Sequence, residues 1–339
     1  GELQSELQEM DECMPHYYKI TNGHGQGAET IMRAEADFMR ACFADAQIML
    51  ERAYAQIDGN GQENMALCCD FLAWRLSLCT SFTPRESFEQ RREALLGLHN
   101  VAWLNILQSS CAYYYALLGL PEKIPAVFRE HQLASIHFLA PGKPMMELIE
   151  NQVYLAQGEY AKVIGHSEAL LGMCEAMHYA LVALHIRLQT AAAYEMLGKR
   201  ETADELLISA FAASEPDALY LPFVENYRYL KTALTRGAGA KFAAFVRTVT
   251  PLGEDFVRRC GEKRAEGSRP AALAGLTERE SAIAALVAKR LSNREIAEQL
   301  FLSEGSVKQY INQIYSKLLI TGDVRTKRKR LAELAAPKS

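Results

Sequence analysis

Hydrophobic residues recur along most of this chain at three- and four-residue spacings, and the strict alternation typical of strands is rare. Val307, Ile311, Ile314 and Leu318, for example, form one apolar stripe, while polar side chains occupy the opposite face. Ala and Leu also outnumber Val and Ile, which favours helices over strands. The pattern predicts an all-α fold.

Small residues mark a repeated junction between helices. Gly119, Gly158 and Gly198 each follow an apolar helical segment, and they are 39 and 40 residues apart. Two weaker copies precede them, one with Ala41 in the glycine position and one centred near Cys79. This layout resembles the tetratricopeptide repeat, in which paired antiparallel helices stack into a superhelix with a concave face. The sequence therefore predicts a tetratricopeptide-like superhelix, with an irregular helical bundle as the alternative.

Composition divides the chain into three parts. The repeat pattern falls within residues 1–260, and residues 261–275 combine Gly, Pro, Ser and charge in the manner of a linker. Residues 276–339 carry 12 Lys and Arg against 7 Asp and Glu, whereas the other 275 residues carry 25 against 34. A small basic segment on an acidic body is typical of a nucleic-acid-binding domain joined to a domain of another kind. An ordinary solvated basic helix is the alternative.

Three helices are predicted in the basic segment from their caps. Thr277 and Glu280 have the spacing of a capping box, as do Ser292 and Glu295. Ser303 is the predicted N-cap of the third helix, and only two residues separate that helix from the second. A short helix, a tight turn and a longer helix form the helix-turn-helix plan, whose second helix enters the DNA major groove.

Residues 276–318 resemble the LuxR/GerE-type helix-turn-helix, whose motif is roughly LTxRE, SNxEIAxxL and SxxSVK. The chain matches the family pattern at sixteen positions: Leu276, Thr277, Arg279, Glu280, Ser292, Asn293, Glu295, Ile296, Ala297, Leu300, Ser303, Ser306, Val307, Lys308, Lys317 and Leu318. So many matches over about 43 residues make the resemblance specific.

The resemblance implies DNA contacts on the helix that begins after Ser303. Residues at the Lys308, Gln309 and Asn312 positions face bases in the family, and these side chains suit guanine or adenine edges. Residues at the Ser306 and Tyr310 positions lie beside the DNA backbone. We add two further backbone candidates, because hydroxyls at a helix N-terminus and a lysine suit phosphate; they are Ser303 and Lys317.

The chain departs from the family pattern at three places. The family often has Gly where Arg290 stands, and a left-handed residue other than Gly costs on the order of 1 kcal/mol. His is common where Tyr310 stands, which leaves that backbone contact open. The segment 321–323 then delays the family's fourth helix, and five of the six residues in 325–330 are basic. This run is either a phosphate contact or a solvated surface, and it argues against a close dimer seam.

The body is similar to that of the large ATP-dependent, maltose-activator-like LuxR-type regulators, in which repeats that receive the inducer follow an NTPase domain. No GxxxxGK[ST] motif occurs here, and the loop at 23–27 has no phosphate-binding Lys. Because that motif is missing, we expect that the NTPase domain was either cut away or is lacking, and Gly1 in place of Met suggests a fragment whose true N-terminus is missing. Weak candidates for an effector site are four aromatic residues: Trp103, Tyr113, Tyr114 and Tyr154.

Other chemistry is not indicated. The eight cysteines have no CxxC spacing and the eight histidines no HxxxH spacing, so we predict neither metal nor cofactor in this chain. No catalytic constellation is recognisable, and we predict that the protein is not an enzyme. No apolar run approaches the length of a membrane-spanning helix, and the chain is expected to be cytoplasmic, with no membrane partner.

The predicted function is that of a transcription regulator in which the 303–318 helix reads double-stranded DNA and the repeats sense an effector or a protein partner. Self-association is expected on DNA or through the body, because one helix-turn-helix reads only one half-site. The alternative is a repeat-based scaffold for proteins or peptides with weak DNA binding. The operator, the effector and the direction of regulation stay open.

Overall fold

The computed structural model describes residues 2–22, 24–58, 61–136, 142–267 and 275–335. All regular elements in these ranges are helical, which confirms the all-α prediction. Two compact units divide the chain, residues 1–261 and residues 262–339, and each has its own hydrophobic core. Among the described helices, none has the length and apolarity needed to cross a membrane.

The bounds of the helices that begin in the N-terminal unit are α1 Glu2–Ile20, α2 Ala28–Met39, α3 Phe43–Ile57, α4 Glu63–Cys79, α5 Phe88–Gly97, α6 Val101–Leu118, α7 Ala126–Arg129, α8 Lys143–Gln157, α9 Tyr160–Ala176, α10 Ala180–Met196, α11 Arg200–Ser214, α12 Leu221–Glu225, α13 Tyr227–Ala238 and α14 Ala243–Gly267. Helices α2, α4, α6, α8 and α10 form a row in which each packs on the next. Helices α3 and α9 lie between members of this row in the chain and pack on their sequence neighbours, and α11 follows α10 and packs on α10 and α13.

The small residues of the repeat pattern end helices. Gly119, Gly158 and Gly198 have φ between 72° and 79°, and Ala41 has φ 60°, so all four lie in the left-handed region. A left-handed residue after a helix lets its amide close the last turn and reverses the chain. The copy near Cys79 differs, because α4 ends at Thr80 in extended backbone.

One repeat copy has a very short second helix. After Gly119 the chain forms a 3₁₀ turn, Pro121–Lys123, and then only the four-residue helix α7, which packs on α6 and α8. Pro121 and Pro125 explain the interruption, because proline has no amide hydrogen to donate and disfavours helix in the residue before it. The two helices of this copy are therefore unequal in length.

The segment around α12 bridges the two ends of the row. It packs on α2 and on α10, and the Tyr220 amide donates to the Met39 carbonyl at 2.9 Å. In the preceding turn, the backbone carbonyl of Asp217 accepts from Arg40 Nε at 3.1 Å. The side-chain Oδ2 of Asp217 accepts from the Leu3 amide at 3.2 Å. The last helices of the unit are thereby attached to the first.

At the end of α12, Glu225 enters a buried polar group that we call the Glu225 cluster, made of Glu35, Arg75, Tyr113, His185 and Glu225. Arg75 Nε donates to one carboxylate oxygen of Glu225 at 3.0 Å, and the Tyr113 hydroxyl donates to the other at 2.7 Å. Arg75 also donates to Glu35 at 3.1 Å. Glu225 is 1% exposed. Side chains from α2, α4, α6, α10 and α12 thus meet in this cluster.

Helix α14 continues to Gly267, so residues 261–267, predicted as the start of a linker, are helical. The remainder of that linker, residues 268–274, lies outside the described residues. The helix is 25 residues long, and its apolar contacts, such as Phe256 and Cys260 in the core, come before residue 261. The polar residues that suggested a linker therefore continue a helix that is already anchored in the core.

The C-terminal unit contains α15 Glu278–Ala288, α16 Asn293–Leu300, α17 Glu304–Lys317 and α18 Val324–Ala335. Both predicted capping boxes form, at Thr277 with Glu280 and at Ser292 with Glu295. Ser303 caps α17 by accepting from the Ser306 amide at 3.0 Å. Helix α18 packs on α15 and adds a buried leucine to a core of branched aliphatic residues, which includes Ile283, Val287, Ile296, Val307, Ile311, Ile314 and Leu331.

Arg290, which stands where the family often has Gly, has a left-handed backbone with φ 64°. The amides of Arg290 and Leu291 close the end of α15 on the Val287 and Leu286 carbonyls at 2.9 and 3.2 Å. Replacing Arg290 with Gly is therefore expected to raise the free energy of unfolding of the C-terminal unit by about 1 kcal/mol, measured by chemical denaturation. The control is Lys289→Gly, since Lys289 has φ −75° and gains nothing from glycine. Equal or lower stability in Arg290→Gly would contradict the expectation.

Candidate nucleic-acid interface

The turn between α16 and α17 sets the angle between the two helices. Phe301 is left-handed, with φ 53° and ψ 47°, and the Leu302 amide donates to the Ala297 carbonyl at 2.9 Å. Ile296 and Val307 are buried in the shared core on either side of this turn. A non-glycine residue in this conformation carries a backbone cost, which the packing of α16 on α17 offsets.

The outer face of α17 is polar and exposed. Lys308, Gln309 and Asn312, the residues predicted to face bases, lie together on it, and Gln313 and Ser316 extend the same face. They line one open groove with residues from the start of α15, among them Arg279. On the opposite side of α17, the predicted apolar stripe is buried in the core, apart from the half-buried Leu318. The buried stripe fixes which side chains face outward.

The predicted backbone contacts at the start of α17 have internal partners. The hydroxyls of Ser303 and Ser306 lie 2.8 Å apart, and Ser303 also accepts from the Ser306 amide. Tyr310 is half-buried and packs against the core. Ser303 is exposed, Ser306 is half-buried, and both stand in the first turn of the helix, where amide groups carry a partial positive charge.

Lys317 is exposed, and its ammonium group forms an ion pair with Glu280. Its Nζ lies 2.7 Å from Oε2 of Glu280, and that oxygen also accepts from the amide and hydroxyl of Thr277 at 2.8 and 3.0 Å. Burial alone would raise the pKa of Glu280, but the hydrogen bonds from Lys317 and Thr277 outweigh it and lower that pKa. Lys317 therefore attaches the end of α17 to the start of α15, a role that the sequence analysis missed.

Another unpredicted contact comes from the basic run in α18. Arg328 donates to the Asn293 side chain at 2.8 Å and to the Leu291 carbonyl at 2.6 Å, so it supports the start of α16. Within the same run, Arg325, Lys329 and Arg330 are exposed. Lys327 is half-buried, with its Nζ 5.8 Å from the centroid of the Tyr315 ring. The run thus combines contacts within the domain with exposed cations, and no local spacing in the sequence distinguishes Arg328 from the others.

The four weak effector-site candidates lie in three different places. Trp103 and Tyr114 pack in one aromatic cluster, which also includes Trp74 and Phe88. Tyr113 is buried and donates to Glu225, as described above. Tyr154 stacks on His131 with ring centroids 4.1 Å apart. The structure brings the first two residues together and leaves the other two in separate surroundings.

Comparison with known proteins gives results for the C-terminal unit. Residues 274–328 match the family model described as bacterial regulatory proteins, LuxR family. A transcriptional regulatory protein, LnrK of Bacillus subtilis, is 41% identical over 63 residues, which cover 17% of this chain and 29% of that protein. The DNA-binding transcriptional activator DevR/DosR of Mycobacterium tuberculosis is 39% identical over 46 residues, 14% of this chain and 21% of that protein.

The chain thus spans less than a third of the length of these two relatives. No solved structure matches it. The family match includes α15, α16, α17 and the start of α18, where the capping boxes and the exposed polar face were found. Residues 274–328 are a helix-turn-helix domain of the LuxR family.

Proposed function

We propose that this protein is a transcription regulator that binds double-stranded DNA by inserting α17 into the major groove. The observation that carries the proposal is the exposed polar face of Lys308, Gln309 and Asn312 on a helix whose other face is fixed in the core. The major groove is about 12 Å wide and admits one α-helix. Lysine suits the O6 and N7 atoms of guanine, and Asn and Gln suit adenine.

Charge and hydrogen-bond donors around this face support contacts with phosphate. Arg279 lies in the same groove, and the first turn of α17, capped by Ser303, carries the partial positive charge of a helix N-terminus. We assign Ser303, Ser306, Tyr310 and Lys317 to the DNA backbone. Because one helix-turn-helix reads one half-site, the proposal includes two copies of the chain on DNA, associated there or through residues 1–260.

For residues 1–260 we propose a tetratricopeptide-like superhelix that receives an effector or a protein partner, as in the large ATP-dependent LuxR-type regulators. The row from α2 to α10 and its left-handed junctions support this proposal. The protein would act in the cytoplasm and have no enzymatic activity of its own. A pure interaction scaffold is the competing function, and sequence-specific DNA binding distinguishes the two.

The test separates base contacts from phosphate contacts. A preferred site is first selected from randomised duplexes with the full chain, and titrations then compare that site with scrambled DNA at one salt concentration. Alanine at Lys308, Gln309 or Asn312 is expected to cost about 1–3 kcal/mol on the preferred site and to relax the preference at one position. The control, Lys289→Ala, removes one exposed charge outside α17 and should leave the preference intact.

Two outcomes would contradict the proposal. An unchanged preference in all three variants would remove the base-contact assignment, and failure to select any preferred site would favour the scaffold.

Lys317→Ala should weaken binding to all DNA about equally. Because this variant also leaves Glu280 without its ammonium partner, its unfolding midpoint must be measured alongside its affinity.

A further inference from the structure

A group of metal-ligating side chains lies in the N-terminal unit, far along the chain from the helix-turn-helix. Glu147 and Glu150 are three residues apart on α8 and share a face with His166 of α9; one ligand atom from each lies within 4.8 Å of the others. Glu150 is buried, Glu147 is half-buried and His166 is exposed. The group therefore extends from the core to the surface, which gives an ion a route of entry.

His131, in the turn after α7, brings a fourth ligand atom. Its Nδ1 lies 3.4 Å from Oε1 of Glu150, yet the two atoms do not have hydrogen-bond geometry. Its Nε2 lies 2.8 Å from Oε1 of Gln157, and the Gln157 amide nitrogen donates to the Arg129 carbonyl at 3.0 Å. Since the amide nitrogen is already directed at that carbonyl, Oε1 is the acceptor and His131 Nε2 carries the proton.

In the neutral ring, Nδ1 of His131 is then an acceptor that lies 3.4 Å from a carboxylate oxygen and has no hydrogen-bond partner among the described residues. Two acceptors at this distance repel each other unless a proton or a cation lies near both of them. A histidine whose other ring nitrogen donates to a fixed oxygen is also the usual second-shell arrangement around a metal.

Tyr154 fixes both imidazole rings. It stacks on His131 with centroids 4.1 Å apart and meets His166 edge-on at 5.9 Å. The aromatic ring thus restricts the two histidines to positions beside the carboxylates.

We propose that His131, Glu147, Glu150 and His166 bind a divalent transition-metal ion, with Zn²⁺ as the first candidate. Two imidazole nitrogens and two carboxylate oxygens form a ligand set suited to zinc and its neighbours in the first transition row rather than to Mg²⁺ or Ca²⁺. Ligand atoms around tetrahedral zinc lie about 3.3 Å apart, from bond lengths of about 2.0–2.2 Å. The ligand atoms of Glu147, Glu150 and His166 lie within 4.8 Å of one another, so they must move closer together to bind zinc. The exposed His166 and the half-buried Glu147 have the freedom to make that movement.

A bound ion would join α8, α9 and the turn after α7, which is where the repeat pattern has its short helix. All four ligands lie outside residues 274–328, so the site does not rest on the proposed DNA binding. No short spacing in the sequence indicates it, because the ligands come from three elements and span 36 positions. The sequence-based expectation of no metal rested on the absence of such spacings.

The test uses the full chain after treatment with EDTA. Zn²⁺ is titrated in by calorimetry, and Co²⁺ is then used as a spectroscopic probe, since exposed Cys13, Cys42 and Cys68 are competing zinc ligands. We expect one equivalent of Zn²⁺ to bind, a rise in Tm with Zn²⁺, and a Co²⁺ spectrum without thiolate charge-transfer absorption. Glu150→Gln and His166→Asn should each weaken binding at least tenfold.

The control is His178→Asn, which removes an exposed histidine just after the other end of α9 and should leave Zn²⁺ affinity unchanged. If the buried Glu150→Gln variant fails to fold, the exposed His166→Asn variant decides the question. No saturable binding, equal affinity in His166→Asn, or a thiolate-type Co²⁺ spectrum would overturn the site. In the first case, a proton shared by Glu150 and His131 explains their contact.

Discussion

Replacing Glu225 with Ala is expected to lower the free energy of unfolding of the N-terminal unit by about 3–5 kcal/mol. The substitution removes the acceptor for both Arg75 and Tyr113, and Arg75 is only 4% exposed. Burial opposes the charge of Arg75, but Glu225 and then Glu35 outweigh it and keep its pKa above the ordinary value. Without Glu225, the guanidinium would keep Glu35 alone as a charged partner.

The measurement is chemical denaturation of the full chain, followed by circular dichroism. The control is Glu254→Ala, which breaks a single 3.0 Å ion pair with Lys231 between two exposed side chains and should change the midpoint little. Glu225→Gln keeps the shape and one acceptor, so its loss should be smaller than that of the alanine variant. If Glu225→Ala behaves like Glu254→Ala, the cluster does not stabilise the fold.

The second large effect is a loss of stability on acidification that depends on His185. Burial lowers the pKa of this histidine to about 4; Glu225, whose Oε2 lies 4.0 Å from Nδ1, opposes that shift and Arg75 adds to it. Below about pH 6.5 the unfolded chain binds a proton at this residue and the folded chain does not. The stability contributed by neutral His185 is thus complete above pH 6.5 and lost as the pH falls through about 4, a total of about 3 kcal/mol.

Buried carboxyl groups act in the opposite direction. Burial raises the pKa values of Glu35 and Asp70 against the effect of their arginine partners, so the folded chain takes up protons at these groups before the unfolded chain does. The contribution of His185 is therefore measured as a difference between wild type and His185→Gln at several pH values from 4 to 7. On acidification, the difference in the free energy of unfolding between wild type and His185→Gln should become smaller. His178→Asn is the control. A difference that stays constant with pH would contradict the assignment.

Local signals in the sequence predicted the C-terminal domain well. A capping box needs two residues three positions apart, and Thr277 with Glu280 forms the box that the spacing indicated. The same carboxylate also binds Lys317, 37 residues away, and nothing in the spacing of the two residues indicates that contact. A sequence pattern determines which face of a helix is buried, whereas the partner of a charged residue depends on how helices meet.

The body of the chain shows the same division. Ala41 was recognisable as a substitute for glycine because it follows an apolar helix, and its backbone is left-handed. Pro121 and Pro125 are visible in the sequence and account for the short helix α7, whereas the glycine spacing of the repeat does not specify how long each helix is. The Glu225 cluster could not be predicted from the sequence, because its five members come from five helices and have no common spacing.

The bridge made by α12 has a consequence for how the N-terminal unit folds. In an open array of repeats each unit touches only its neighbours, so folding can start anywhere and spread along the chain. Here Leu3 contacts Asp217, Arg40 contacts the same residue and Arg75 contacts Glu225, at sequence separations of 214, 177 and 150 residues. Such contacts raise the contact order, and their loop-closure entropy must be paid before they stabilise anything. The row of helices is therefore expected to be completed late and as a whole, when the last part of the unit returns to the first.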